Sequence, residues 1–434
     1  MRVRTLLAYT MALPLSMVVQ SAAAQMLSPK EDLGKSIFFD VELSINGNQS
    51  CAACHAPESG WTGTISAINA GGAVYEGSIL GRFGNRKPPS SAYATPSPIL
   101  HFVIEKKEAL FIGGNFWDGR ATGERLGNPA ADQALGPFLN PVEQALPDNA
   151  CVVYKVCTAD YPVSFTEVWG PEACDITWPL DVDTTCATEG EFVDLSPEDR
   201  ETVETSYDKV GLSVAAYEGS SEVNQYSSKF DYYLAGLVDL TKEEKTGFNL
   251  FKSKGKCAKC HVLDPGPNGE PPLFTDFTFD NLGVPRNPEN PWYDQAAFNP
   301  EGDRWIDLGL GGFLESRVDY QRFAQENLGK HKVPTLRNLT KRPYPDFVKA
   351  YAHNGYFKTV KQIVHFYNTR DAKPTCLSPY TPVEEALAQG CWPAPEVPVN
   401  VNTDELGDLN LSEEQEDAIV SFLGILDDGF VLSD

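Results

Sequence analysis

The chain has 434 residues, 10 cysteines, 6 histidines and a formal net charge of −25. A surface this acidic repels nucleic acid and anionic lipid and favours basic or neutral partners. With 42% apolar residues there is ample material for a buried core, while 35 glycines and 32 prolines demand many turns and exclude a low-complexity chain.

Residues 1–24 read as an export signal. MRVR gives a charged start, LLAYTMALPLSMVV an apolar run and QSAAA a small-residue cleavage site, so cleavage is expected after Ala24. The run is shorter than the roughly 20 residues that a membrane span needs, and Pro14 interrupts it. A periplasmic protein without a membrane span is expected, two charges more negative after loss of Arg2 and Arg4. Roughly 410 residues remain, room for two or three domains.

Next comes an internal repeat. GKSIFFDVELSINGNQSCAACH (34–55) resembles GFNLFKSKGKCAKCH (247–261): a glycine, an aliphatic-aromatic pair, then Cys-x-x-Cys-His. Two copies of one domain type follow, 25–240 and 241–434. Ser196 and Pro197 open a helix through Val203, Val210, Val214 and Ala215. Thr241 and Glu244 form a capping box ahead of Phe248, Leu250 and Phe251. Ser412 and Gln415 open a last helix with an apolar stripe of Ile419, Val420, Phe422, Leu423 and Leu426. Two stretches, 146–195 and 372–405, look inserted and show no helical periodicity. With few strand signals, the expected fold is mainly α with long loops.

Cys51, Cys54 and His55, and again Cys257, Cys260 and His261, each match the attachment motif of a c-type haem. Two thiols at this spacing reach both vinyl groups, and the adjacent histidine falls beneath the iron. The rival reading is a zinc site or redox-active dithiols, against which stand the terminal histidine of both motifs and the export signal. Two cytochrome c-like haem domains with two covalent haem c groups are therefore expected. Six cysteines remain, an even number in an oxidising compartment. Locality pairs Cys151 with Cys157, Cys174 with Cys186 and Cys376 with Cys391 among 15 possible schemes.

Electron-carrying c-type haems usually take a sixth ligand, often Met or His. Of the four methionines, those at 1, 11 and 17 leave with the signal, and Met26 would be second in the mature chain. Thioether ligation is thereby disfavoured, and His101, His331, His353 and His365 are the histidines left.

The chain resembles the bacterial dihaem cytochrome c peroxidases and their MauG-type relatives. LSINGNQSCAACH (43–55), FWDGRA (116–121), DQALGPFLNPVE (132–143), CAKCH (257–261), NLGVP (281–285), KVPTLRN (332–338) and YAHNG (351–355) carry the likeness, in the family's order. It implies that hydrogen peroxide reacts at the first haem, on His55. Glu143 matches the distal glutamate, Gln133 the distal glutamine ten residues earlier, and Trp117 the tryptophan between the two haems. No histidine lies between 55 and 101, so the distal side of the first haem is expected to be open, as in MauG-type proteins. The family's axial methionine on the second haem lies 14 residues after the position of His353, where this chain has Tyr367; MauG-type proteins carry tyrosine there. His365 is the rival ligand, on another face of the same helix.

A phenolate donor would favour oxidised iron at the second site. The resemblance thus implies a two-site oxidant that passes equivalents through Trp117. Trp117 alone would more often be core, Glu143 a solvated carboxylate, His331 and His353 structural hydrogen-bonders; His101 has no assigned place, and Arg120 is a candidate partner for a haem propionate. The family's interdomain calcium uses an asparagine where Lys87 stands in RKPP (86–89), and a cation there opposes a calcium site. Three functions stay open: a MauG-type enzyme oxidising a partner protein, a peroxide-detoxifying peroxidase fed by an electron-donor protein, and a non-enzymatic dihaem carrier. The Cys-bearing insertion and CWPAPEVPVN (391–400) resemble the MbnH-type branch, whose partners undergo tryptophan oxidation.

Overall fold

A computed structural model describes residues 26–105, 108–266 and 269–432. The proposed signal, 1–24, lies outside the described residues. Helices dominate, and among the described residues the strands are confined to the hairpin His101–Glu105 with Glu108–Ile112 and the two-residue pairing of Phe279–Asp280 with His331–Lys332. No described helix is long and apolar enough to cross a membrane.

The sequence repeat is a structural repeat. In the first copy, helix Pro29–Phe39 is opened by a capping box of Ser28 and Glu31 and crosses helix Pro197–Glu218. In the second, helix Lys242–Lys252 begins at the Thr241–Glu244 capping box and crosses helix Glu413–Leu423, which begins at the Ser412–Gln415 box. Both crossings depend on a glycine. A Cβ on Gly34 would lie 1.9 Å from the Ser213 carbonyl oxygen, and one on Gly247 would lie 1.8 Å from that of Ala418. Any other residue would push the helices apart. Each first helix then feeds a loop ending in a 3₁₀ turn, Cys51–Ala53 or Cys257–Lys259, with the amide of His55 or His261 donating back to Cys51 or Cys257 at 3.0 and 2.9 Å.

Two main cores result. Leu33, Ile37, Phe38, Phe138, Val210 and Tyr217 are buried in the first; Phe230, Phe251, Phe274, Trp392, Ile419 and Phe422 in the second. Each such side chain contributes roughly 1.5–3 kcal/mol of transfer free energy. The chain passes from one core to the other between Val223 and Phe230.

The inserted stretches hold more helix than their pattern predicts. Asn149–Thr158, Phe165–Trp169 and Val182–Cys186 are helical within the first, and Val383–Gln389 within the second. All are ten residues or fewer, too short to show a clear period. Caps set them instead: the Asp148 carboxylate accepts from the Ala150 amide at 3.0 Å.

The cysteine pairing by locality fails for the first four. Cys151 bonds Cys186 and Cys157 bonds Cys174, one bridge nested inside the other. The reason is the helix Asn149–Thr158, which carries both Cys151 and Cys157. Six residues of α-helix rise about 9 Å, beyond the ~7 Å that a disulfide spans between Cα atoms. Cys376 with Cys391 is found as expected.

Candidate haem centres and the cavity between them

The four motif cysteines are free, while the other six are all paired. Each motif histidine is oriented by its Nδ1: that of His55 lies 3.2 Å from the Trp61 carbonyl oxygen and that of His261 lies 2.8 Å from the Phe274 oxygen. A carbonyl accepts only, so Nδ1 carries the proton and Nε2 keeps the lone pair that iron requires. Around Cys257, Cys260 and His261 opens a cavity walled by Phe251, Val364, Ile419 and Leu423. Free thiols, aimed imidazoles and apolar walls fit a haem.

Helix Val360–Thr369, capped by a Thr359–Gln362 box, decides which side chain faces that cavity. Tyr367 lines it together with Cys257, Cys260 and His261. Burial, then the nearby Cys257 and Cys260 sulfurs, push its phenol above the usual range. His365 points elsewhere: its Nδ1 lies 2.9 Å from Glu416 Oε1 and its Nε2 lies 2.8 Å from Lys373 Nζ. Met26 is 91% exposed.

On the first site, Glu143 is held by Asn140, whose side-chain amide donates to Oε2 at 2.9 Å. Burial raises its pKa, with Arg120 pulling the other way, and its charge is felt by Cys51 and Cys54. Gln133 sits on helix Pro129–Leu139 and makes no hydrogen bond to Glu143 among the described residues. Arg120 is engaged by Asp118 at 2.9 Å and lies over the Phe116 ring at 3.7 Å. His101 is exposed, turned back on the Ile99 carbonyl oxygen.

Trp117 is buried. Its indole Nε1 donates to the Lys87 carbonyl oxygen at 2.8 Å, and its own carbonyl oxygen accepts from the Lys332 amide at 2.8 Å. The ring borders the same cavity as His261. Lys87 Nζ donates to Thr62 Oγ1 and the Pro88 oxygen, both at 2.9 Å. Burial pushes Lys87, Lys332 and Lys349, which all line the cavity, down to about 7.

His331 and His353 line the same cavity, with His331 Nδ1 3.1 Å from the Gly329 carbonyl oxygen. Their rings stack at 3.5 Å, and both Nε2 atoms are buried without a hydrogen-bond partner, facing Asp307 and Glu396. Neither acid was singled out beforehand, and no motif spacing links them.

The di-haem cytochrome c peroxidase family matches residues 28–239. The methylamine utilization protein MauG of Paracoccus denitrificans is 30% identical over 422 residues, which cover 96% of this chain and 94% of MauG. The chain belongs to the di-haem cytochrome c peroxidase family. As a member of that family it is an oxidoreductase of the peroxidase and MauG type, with two haems and a mainly helical two-domain fold. The cytochrome c551 peroxidase of Nitrosomonas europaea is 26% identical over 334 residues, covering 77% of this chain and 71% of that protein. Among solved structures, the diheme peroxidase BthA of Burkholderia thailandensis superposes with a TM-score of 0.69 at 28% identity, covering 94% of this chain and 88% of that one.

Proposed function

We propose that this is a periplasmic, MauG-type dihaem enzyme that uses hydrogen peroxide to oxidise a partner protein. The observation that carries the reading is the orientation of helix Val360–Thr369, which turns Tyr367 into the cavity of Cys257, Cys260 and His261 and leaves His365 bound to Glu416 and Lys373. One haem c would be held by Cys51, Cys54 and His55, and a second by Cys257, Cys260, His261 and Tyr367. Lys87, Lys332 and Lys349 suit haem propionates, because an anion entering the cavity restores the charge that burial suppresses.

When bound, the haems supply the redox chemistry with peroxide. The chain supplies the rest. Glu143, buried and poorly solvated, takes a proton from one peroxide oxygen and returns it to the other; Asn140 holds the carboxylate in place. Gln133, carried over from the family likeness, would orient the oxidant. Trp117, pinned by the Lys87 carbonyl, would carry oxidising equivalents between the two sites. A tyrosinate donor stabilises oxidised iron where methionine would favour reduced iron. That is the opposite of what a peroxidase fed by an electron-donor protein requires at its entry site.

The test is to add one equivalent of hydrogen peroxide to the fully ferric holoprotein and follow its optical and EPR spectra. A long-lived oxidised state formed without prior reduction is expected. A requirement for half-reduction would favour the detoxifying peroxidase, and absence of any high-spin ferric signal would favour a carrier.

A further inference from the structure

We infer that strand His101–Glu105 pairs antiparallel with the same strand of a second copy of this chain, joining the two hairpins into one continuous sheet. Among the described residues its strand partner is Glu108–Ile112 alone, so its other side is a free edge. His101, Val103, Ile104 and Glu105 are all exposed, Ile104 to 61%.

The direction of the backbone groups follows from the register. Ile104 lies opposite Ala109, and the Ala109 amide donates to Glu326 Oε1 at 3.3 Å, away from the hairpin. Ile104 and Ala109 are therefore a non-hydrogen-bonded pair, in which the N–H and C=O of both residues point outward. Alternation along the strand makes Phe102 and Phe111 another such pair. The amides and carbonyls of Phe102 and Ile104 accordingly face outward, where no described residue meets them. Free edges are commonly blunted by lysine, proline or a bulge. HFVIE has none of these.

The strand is complementary to itself in one register. With Phe102 opposite the second copy's Ile104, and Ile104 opposite its Phe102, every outward amide and carbonyl of these two residues finds a partner across a two-fold axis. Val103 then meets Val103 on the axis, and His101 meets Glu105 at both ends. A shift of two residues either way loses half of these hydrogen bonds and both His101–Glu105 pairs. Parallel pairing in register sets Glu105 against Glu105, which is unfavourable. His101 Nδ1 lies 2.8 Å from the Ile99 oxygen, which leaves the Nε2–H of the imidazolium for the Glu105 carboxylate. Packing agrees with the register. Phe102 stacks on an aromatic cluster, with ring centroids 5.5 Å from Phe111 and 4.8 Å from Phe323. Ile104 shares its face of the strand. Pairing sets the second copy's Ile104 beside Phe102, which covers the exposed isoleucine with an apolar neighbour. A two-stranded hairpin is marginal by itself in water, and added strands stabilise it. An extended segment of another protein could use the same edge, but only a second copy supplies this alternation and these charges.

The test is sedimentation velocity on the haem-loaded protein from about 1 to about 500 µM, in ~0.15 M salt to screen the net negative charge. The contact is small beside the ~1,000 Å² of stable assemblies, so a reversible dimer with a dissociation constant on the order of 100 µM is expected. Val103→Lys brings two ammonium groups together on the axis and should weaken the dimer about tenfold or more. His101→Glu should weaken it as well, and the exchanged pair His101→Glu with Glu105→His should restore it. These side chains are exposed, so haem content should stay unchanged and serves as the check on folding. Wild-type protein that remains monomeric throughout overturns the inference. A dimer that Val103→Lys leaves intact, or an exchange that restores nothing, overturns it equally.

Discussion

His365 Nδ1 sits 2.9 Å from Glu416 Oε1, and this pair locks the roll of helix Val360–Thr369. Asn368 Nδ2 donates to the same carboxylate oxygen at 2.6 Å, and Lys361 adds an ion pair at 3.1 Å. With that face fixed on helix Glu413–Leu423, Tyr367 has to face the cavity. Tyr367→Met should keep both haems attached and raise the reduction potential of one of them, read by potentiometric titration. His365→Ala should leave both potentials in place and lower stability by about 1–2 kcal/mol, because Glu416 loses one of its partners. If His365→Ala moves a potential and Tyr367→Met does not, the ligand assignment is reversed.

Trp117 offers a second separation of roles. Trp117→Phe retains an aromatic ring but removes the indole and its 2.8 Å bond to the Lys87 oxygen. A stability loss of about 1 kcal/mol is expected from the broken hydrogen bond. If the indole carries oxidising equivalents, stopped-flow spectra should show the first haem reacting with peroxide at its normal rate while oxidation of the second slows. A purely space-filling tryptophan would lose stability alone.

Burial raises the pKa of Glu143, which places its protonation above the ordinary carboxylate range. The ionised form is the base, so the rate of reaction with peroxide should fall as pH drops through that raised value. Glu143→Gln should abolish this acid limb and slow the reaction by about 10²–10⁴-fold. An unchanged pH profile in the variant would remove Glu143 from the proton path.

What the sequence revealed and what it hid follow from range. Cys-x-x-Cys-His, the capping boxes at Thr241 and Ser412, and the Gly34 and Gly247 repeat are local signals, and each appears in the structure where its spacing places it. Which of Tyr367 and His365, only two residues apart, faces the cavity depends on Glu416, a contact 51 residues away from His365. Cys151 and Cys157 misled because helix Asn149–Thr158 was not visible in a segment without clear periodicity. That His331 and His353 line the same cavity as His261 was illegible too, because these residues come from separate segments of the chain.

Glu218, at the end of helix Pro197–Glu218, supplies a pH-dependent load on the fold. It is 3% exposed, and its Oε2 has no partner. Burial pushes its pKa up to about 8, with Ser91 only partly offsetting this. The folded state therefore holds a proton that the unfolded chain releases near pH 4.3, and between those values rising pH draws the equilibrium toward unfolding. Stability associated with this group is complete below pH 4 and is lost as pH rises through about 8, a difference of ~5 kcal/mol at most. Glu218→Gln keeps the shape and removes the titration. Its thermal midpoint should exceed that of the wild type at pH 8 by several degrees and converge with it near pH 4, as measured by calorimetry on the haem-loaded protein. Parallel curves for the two proteins across this range would show that Glu218 finds a counter-charge in the holoprotein.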